Sequence, residues 1–312
     1  MPKEKYIVTI GSINMDIAGY PHSALIYSDS NPGKIQCTPG GVGRNIAHNL
    51  ALLNKESWLL SVVGDDSYGQ SLLDQTAQVG VHVDKCLALS GKNTSSYLSL
   101  LDEQGEMLVA LNDMSIIEHI TPDFLQPHKE FIKNSEVIIT DCGMNEPILS
   151  WLIENAGSTP IFVDPASSCK CTRIKHHLAH IHTLKPNKLE AETLSGISIE
   201  KTNDVRKVAD WFHCNGLQRL IISMGRDGAY YSEKNGEYGW SPALKTHVVN
   251  VTGAGDAMMA GLAACWVDGV SFAHAVRFAQ GCSSLTLSCE FTNNPSLSYK
   301  NINQLLMEKN YV

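Results

Sequence analysis

The run Asn250-Val251-Thr252-Gly253-Ala254-Gly255-Asp256 combines residue types suited to anion chemistry. It follows a strand-like segment and opens an apolar helical one, and its small residues let main-chain N–H groups converge at the helix start. Those unpaired donors and the helix macrodipole make a site for phosphate or a developing oxyanion. Asp256 in the same turn would repel that anion unless a substrate proton or a metal lay between them. Taken alone, the run reads equally well as a plain helix N-terminus with an acidic residue.

Four other clusters carry similar ambiguity. In Pro39-Gly40-Gly41-Val42-Gly43-Arg44-Asn45, Gly40 and Gly41 permit close backbone approach to a ligand, and Asn45 projects a donor and an acceptor from the first helical turn. A tight structural turn would use the same glycines. Gly11-Ser12-Ile13-Asn14-Met15-Asp16 lies just past the first strand, where α/β sheets bind ligands. Asp16 could take two adjacent sugar hydroxyls or simply close an Asx turn, and Asn14 could support it. In Lys185-Pro186-Asn187-Lys188-Leu189-Glu190, Asn187 and Glu190 have the spacing of an N-cap and its third helical residue. The same pair would suit hydrated Mg²⁺ beside phosphates, because that ion keeps most of its waters and needs few carboxylates. Ser223-Met224-Gly225-Arg226-Asp227-Gly228 reads as strand, turn, strand, a hairpin whose glycines could admit a nucleotide.

Alternating elements must position these groups. Strand-like runs are expected at Tyr6 to Ile10, Ser57 to Val63, Val137 to Thr140, Pro160 to Val163, His182 to Leu184, Arg219 to Ser223 and His247 to Val249. Helical spacing is expected at Gly43 to Leu53, Gln70 to Gln78, Asp123 to Lys133, Glu146 to Ala156, Leu189 to Leu194, Asp204 to His213, Ala254 to Trp266 and Phe272 to Leu287. That rhythm predicts a doubly wound, mostly parallel α/β sheet flanked by helices. Two segments, about 17–37 and 94–112, break it and predict a small β-rich lid on a single domain spanning 1–312.

Composition narrows the function classes. A chain of 312 residues, 43% hydrophobic and 18% charged, buries enough surface for a full core. Its net charge of -8 argues against nucleic acid and membrane as partners. The start at Met1-Pro2-Lys3-Glu4-Lys5 lacks the apolar core of a secretory leader, so a cytoplasmic protein is expected. Nine scattered cysteines fit reduced thiols, and Cys169 with Cys171 alone does not make a tetrahedral zinc site. Clustered His176, His177, His180 and His182 read as structural or solvated. A dinucleotide-dependent dehydrogenase would need G-x-G-x-x-G after the first strand, which Gly11-Ser12-Ile13-Asn14 does not supply.

The ordered set G-S-x-N-x-D at Gly11 to Asp16, G-G-V-G-R-N at Gly40 to Asn45, N-x-x-E at Asn187 to Glu190 and T-G-A-G-D at Thr252 to Asp256 resembles the ribokinase (PfkB) family of sugar and nucleoside kinases. The resemblance implies a ribokinase-like fold with ATP as donor, Mg²⁺ held by Glu190 through water, and Asp256 as the base acting on a primary hydroxyl. Gly253, Ala254 and Gly255 would then stabilise the transferred phosphoryl group. Asn14, Asp16, Gly41 and Asn45 would grip ribose, while Asn187, Ser223, Gly225, Gly228 and Gln280 would lie on the nucleotide side. Within the family, Ser28 to Lys34, Pro39 to Ala47, Leu184 to Gly196 and Asn250 to Gly261 are most like members that phosphorylate the 5′-hydroxyl of the C-nucleoside pseudouridine. Ser30, Thr94 and Asn112 are then the candidates to read its base. Asn250 stands where ribokinase has an aspartate associated with K⁺, which leaves a K⁺ requirement in doubt. Related kinases for another nucleoside or ribose remain alternatives, as does a noncatalytic ligand-binding protein. Lid edges could pair two copies into a homodimer.

Overall fold

The computed structural model describes residues 5–308. β1 (Tyr6–Ile10) leads into the hairpin of β2 (Asn14–Pro21) and β3 (Gly33–Gly40), and α1 (Val42–Leu52) returns the chain to β4 (Glu56–Leu60). Next come β5 (Val62–Gly64), α2 (Ser67–Gln78), β6 (Val81–His82), β7 (Leu87–Leu89), β8 (Ser96–Leu101) and β9 (Met107–Asp113). Short α3 (Pro122–Leu125) and α4 (Lys129–Lys133) precede β10 (Val137–Asp141), α5 (Glu146–Asn155), β11 (Ile161–Asp164), β12 (Thr183–Leu184), α6 (Lys188–Ser195) and α7 (Thr202–Cys214). The last third holds β13 (Arg219–Ser223), β14 (Ala229–Glu233), β15 (Tyr238–Ser241), α8 (Ala254–Val267), α9 (Phe272–Leu287) and α10 (Tyr299–Glu308).

The large sheet has nine strands in the order β15-β14-β13-β12-β11-β10-β1-β4-β6. It is parallel from β13 to β6, with β14 and β15 added antiparallel. Successive side chains of a strand point to opposite faces, and the core divides accordingly. Ile7, Ile139, Phe162 and Ile221 pack with α1, α8 and α9. Val8, Ile138, Val163, Leu220 and Ile222 pack with α5, α6 and α7. Burying each such side chain contributes about 1.5–3 kcal/mol, so both faces must be covered, as expected for a doubly wound sheet. α8 is apolar all round because it is sandwiched between the sheet, α1 and α9, and ten of its residues are buried.

A second sheet, β3-β2-β8-β9, stands apart from the first. Asp16 lies opposite Thr38 and Tyr97, and Tyr97 opposite Asn112, so these side chains share one face. Ile17, Cys37, Leu98 and Leu111 occupy the other. This sheet comes from the two segments that broke the strand-helix rhythm.

Some expected elements differ. The run Ser57 to Val63 is two strands. β4 stays beside β1 through Leu60, Ser61 turns its hydroxyl onto the Gly11 carbonyl at 2.7 Å, and Val62 starts a separate pairing with β7. The helix expected over Asp123 to Lys133 breaks into α3, a 3₁₀ turn at Gln126–His128 and α4, because Pro127 has no N–H to continue the ladder. His247 to Val249 is not a strand. The Val249 amide instead donates to the Leu287 carbonyl at the end of α9, at 2.8 Å. β15 and α10 were not anticipated.

Candidate active site

The sheet's parallel strands deliver their carboxyl ends to one edge, where α/β proteins bind ligands. Asp141 closes β10, Asp164 closes β11 and Lys185 follows β12. α8 begins at the same edge. Its N-cap, Gly253, has φ 81°, a left-handed conformation that favours glycine, and a Cβ there would collide with the Thr292 carbonyl. A side chain is therefore excluded on two grounds, and the N–H groups of Gly253, Ala254 and Gly255 form the open first turn.

Asp256 sits in that turn. Its Oδ2 accepts a 2.9 Å hydrogen bond from Nδ2 of Asn45 in α1. Burial pushes its pKa up to about 7, assisted by the negative charges of Asp164 and Asp141, while the Asn45 bond and Lys185 pull the other way. A carboxyl poised near neutrality suits general base catalysis.

The residues expected to face a sugar converge on the same place. Asn14 Nδ2 donates to Asp16 Oδ1 at 2.6 Å, which fixes the orientation of that carboxylate. Burial raises the Asp16 pKa, opposed by that bond and by Arg44. Gly41, at φ 98°, caps α1, and a Cβ there would meet the Ser12 carbonyl and the Ile13 backbone. Its glycine is needed for the turn whether or not a ligand lies above it.

Sequence reasoning passed over a buried cation. Lys185 Nζ lies 2.9 Å from Asp164 Oδ2, with both side chains nearly inaccessible. Burial works against the ammonium, but Asp164, Glu190 and Asp256 outweigh it and hold its pKa above the ordinary value. Nζ is also 3.4 Å from where a Cβ on Gly255 would stand, beside the anion-binding turn. Asp141 was missed as well. Its Oδ1 accepts from the Gly143 amide at 2.6 Å, whereas Oδ2 is buried with no hydrogen-bond partner among the described residues. Burial raises its pKa to about 6. The signal for both aspartates was their position as the last residues of β-rich runs.

Asn187 and Glu190 form the expected capping box. Glu190 N–H donates to Asn187 Oδ1 at 2.9 Å, and Asn187 N–H donates to Glu190 Oε2 at 2.8 Å. Glu190 is nevertheless buried beside Asp164 and Lys185, and burial raises its pKa. Its place in the cap and its place at the site are thus compatible. Ser223 bridges to Asn187, with its amide on the Pro186 carbonyl at 2.9 Å. Gly225 and Gly228 both have positive φ in the turn between β13 and β14.

Three predicted residues have local duties. Gln280 is buried, and its amide donates to the Ser241 carbonyl at 2.8 Å while accepting from the Ser241 hydroxyl at 3.0 Å, tying α9 to β15. The Thr94 hydroxyl donates to Asp66 Oδ1 at 2.6 Å and accepts from the Gly64 amide at 2.9 Å. That fixes the start of α2, whose N-cap is Asp66. Ser30 lies in the exposed loop between β2 and β3, with its amide on Asp29 Oδ1 at 2.7 Å. Asn112 is an exposed residue of β9 on the Asp16 face of the small sheet. All nine cysteines are free. Among the described residues, no group of three or more His, Cys, Asp or Glu could grip a metal directly.

The pfkB family of carbohydrate kinases matches residues 4–298 of the chain. Pseudouridine kinase of Escherichia coli strain K12 is 62% identical over 306 residues, covering 98% of both chains. A sugar kinase of that strain, YeiI, is 40% identical over 301 residues, covering 96% of this chain and 83% of its own. Among solved structures, a carbohydrate kinase from Agrobacterium tumefaciens superposes with a TM-score of 0.85 at 26% identity, covering 97% of both chains. Arabidopsis thaliana ribokinase, complexed with ribose and ATP, gives a TM-score of 0.88 at 20% identity and covers 97% of this chain and 98% of its own. The match spans the open turn, the raised carboxyl and the glycine-lined approach alike, and the chain belongs to the pfkB family of carbohydrate kinases.

Proposed function

We propose that this kinase transfers the γ-phosphoryl group of ATP to the 5′-hydroxyl of the ribose in pseudouridine, giving pseudouridine 5′-phosphate and ADP. The observation that carries the reading is the half-buried Asp256 carboxyl held by Asn45 at the mouth of α8, together with 62% identity over nearly the whole chain to a pseudouridine kinase. The bond between the ribose 5′-oxygen and the γ-phosphorus forms as the bridge to ADP breaks. The hydroxyl proton passes to Asp256. Phosphoryl transfer has a loose transition state, so the protein chiefly aligns the reactants and meets charge on the transferred group. N–H groups of Gly253, Ala254 and Gly255 meet that charge, and Lys185 supplies a positive field beside them.

Asp16, Gly41 and Asn45 hold the ribose, with Asn14 fixing Asp16. Asn187, Ser223, Gly225, Gly228 and Gln280 border the nucleotide. Buried hard oxygen donors at the strand ends and in α6, Asp164 and Glu190 among them, suit a divalent cation of the Mg²⁺ type. Glu190 would hold that ion through water. When bound, it neutralises charge on the triphosphate.

The small sheet acts as a lid with Asp16, Thr38, Tyr97 and Asn112 facing the substrate, and Ser30 and Asn112 remain the assigned base-side residues, while Thr94, whose hydroxyl is engaged by Asp66 and Gly64, sets the start of α2 behind them. Its opposite face exposes Ile35, Leu98, Val109 and Leu111, an apolar patch on which a second copy pairs to form a homodimer. No K⁺ is required. Asn250 Nδ2 donates to the Glu290 carbonyl at 3.0 Å and its Oδ1 accepts from the Thr252 amide at 2.9 Å, so the side chain already ties the two loops together. Free thiols fit a cytoplasmic setting. No helix of the described residues is long and apolar enough to cross a membrane.

The reading is tested by ATP consumption with pseudouridine, uridine, ribose and pyridoxal side by side. Pseudouridine should give the highest kcat/KM. Equal turnover of uridine would remove the specific substrate and leave the kinase.

A further inference from the structure

Phosphoryl transfer engages Asn45 and Asp256, yet the chain spends a buried charge next to them. Arg44, in the first turn of α1, is 4% exposed. Its Nη1 donates to the Pro39 carbonyl at 3.2 Å, to Asn45 Oδ1 at 2.9 Å and to Asn293 Oδ1 at 2.7 Å. Nη2 lies 2.8 Å from His48 Nδ1. Burial and the Arg44 charge push the His48 pKa down to about 3, so the ring is neutral and Nδ1 accepts. Desolvating a guanidinium is costly unless its donors are paired, and Nε has no partner among the described residues.

That arrangement settles which way Asn45 points. A guanidinium can only donate, so the Asn45 atom facing Arg44 is its oxygen, and the NH₂ is turned toward Asp256. Asn293 completes the grip. Its Nδ2 donates to the Asn45 carbonyl and to Asn49 Oδ1, each at 3.0 Å. Residues 290–294 also touch the anion-binding turn, where the Thr292 carbonyl lies against Gly253 and the Glu290 carbonyl accepts from Asn250. One short loop therefore contacts both the helix that reads the sugar and the turn that receives the phosphoryl group.

We propose that Arg44 and Asn293 are positioning residues for phosphoryl transfer. Together they fix the side-chain orientation of Asn45 on Asp256 and set α1 against the anion-binding turn. The inference rests on the kinase reading above.

The test is a double-mutant cycle with Asn293→Ala and Asn45→Ala, read by kcat, KM and melting temperature, with Arg44→Met and Arg44→Lys as further variants. Asn293→Ala should lower kcat about ten- to a hundredfold, with the KM for ATP little changed. In the Asn45→Ala background it should lower kcat no further, while its effect on melting temperature stays the same. Arg44→Lys should fail to rescue what Arg44→Met loses, because a single ammonium nitrogen cannot hold Asn45 and Asn293 on one side and His48 on the other as Nη1 and Nη2 do. Should Arg44→Met not fold, Asn293→Ala alone carries the cycle, since it removes no charge.

The pH profile gives an independent readout. Asp256 is faced by Asp164, Asp141, Lys185, Arg44 and Asn45. Asn293→Ala leaves the carboxylates and Lys185 in place but frees an Arg44 donor, so the Asn45 bond to Asp256 should loosen and the acidic limb of kcat should move to higher pH. A kcat loss that persists in full on the Asn45→Ala background would overturn the proposal, as would an Asn293→Ala enzyme with wild-type kcat. Failure of the wild type on pseudouridine but not on another acceptor would sink the substrate reading alone, and the cycle would be run on that acceptor.

Discussion

Asn45 Nδ2 donates to Asp256 Oδ2 at 2.9 Å, linking the first turns of two helices 211 residues apart. The bond engages one carboxylate oxygen, and in the proposed mechanism the other takes the proton of the incoming hydroxyl. It also favours the ionised carboxylate against the burial that opposes it.

Replacing Asp256 by Asn keeps the volume and removes the base. Turnover should fall by at least two orders of magnitude, since positioned acid–base groups contribute about 10² to 10⁴ in rate. Binding of pseudouridine and ATP, measured by calorimetry, should be largely intact. Retained activity would discredit Asp256 as the base.

The same carboxyl makes a stability prediction. Its folded-state pKa, about 7, lies above the ordinary 3.8, so ionising it opposes folding. Its contribution is fully present below about pH 4 and is lost as pH rises through about 7. Asp256→Asn should therefore be more stable than wild type at pH 8 by about 1–2 kcal/mol, and the gap should close on acidification. Denaturant unfolding at pH 5 and pH 8 measures it. A gap of equal size at both pH values would show that ionisation is not its source.

Lys185→Met should destabilise by about 3–5 kcal/mol, the usual cost of leaving one partner of a buried ion pair unpaired. The Asp164→Asn change in the same chain should recover part of that loss. Chemical unfolding of the single and double variants decides the matter. Additive losses would mean that the two groups do not act as a pair.

The need for K⁺ can be switched. Wild-type turnover should be the same in choline or potassium buffers. Asn250→Asp removes the donor to the Glu290 carbonyl and adds a charge, so this variant should turn over several-fold faster with K⁺ than with choline. Wild-type activation by K⁺ would contradict the tie between the loops.

An exposed apolar sheet face predicts association. Leu111→Lys, on the face away from Asp16, should convert a dimer to a monomer in sedimentation velocity. A wild-type chain that sediments as a monomer at micromolar concentration would exclude the pairing.

Much of the site was legible because its motifs sit on strand ends and helix starts, and each carries its own local logic. Asp16, Asn45 and Asp256 each had a purely local reading as well, and it was the order of their motifs along the chain that nominated them. Arg44 and Asn293 could not, because their contact spans 249 positions and neither neighbourhood announces it. Thr94 shows the opposite limit. A hydroxyl just ahead of a lid strand looked available for a base, but Asp66 claims it to cap α2. His247 to Val249 has the β-branched content of a strand, yet its valines lie exposed and Val249 instead meets the end of α9. Propensity describes what a segment tolerates, and the neighbours decide its use.

Asp16 belongs to a strand of the small sheet, and Asp256 to a helix packed on the large one. A ribose that engages both couples two separately built bodies through its own hydroxyls. Water has no second hydroxyl to offer Asp16 and cannot make that span, so the proposed mechanism disfavours wasteful hydrolysis of ATP when the acceptor is missing.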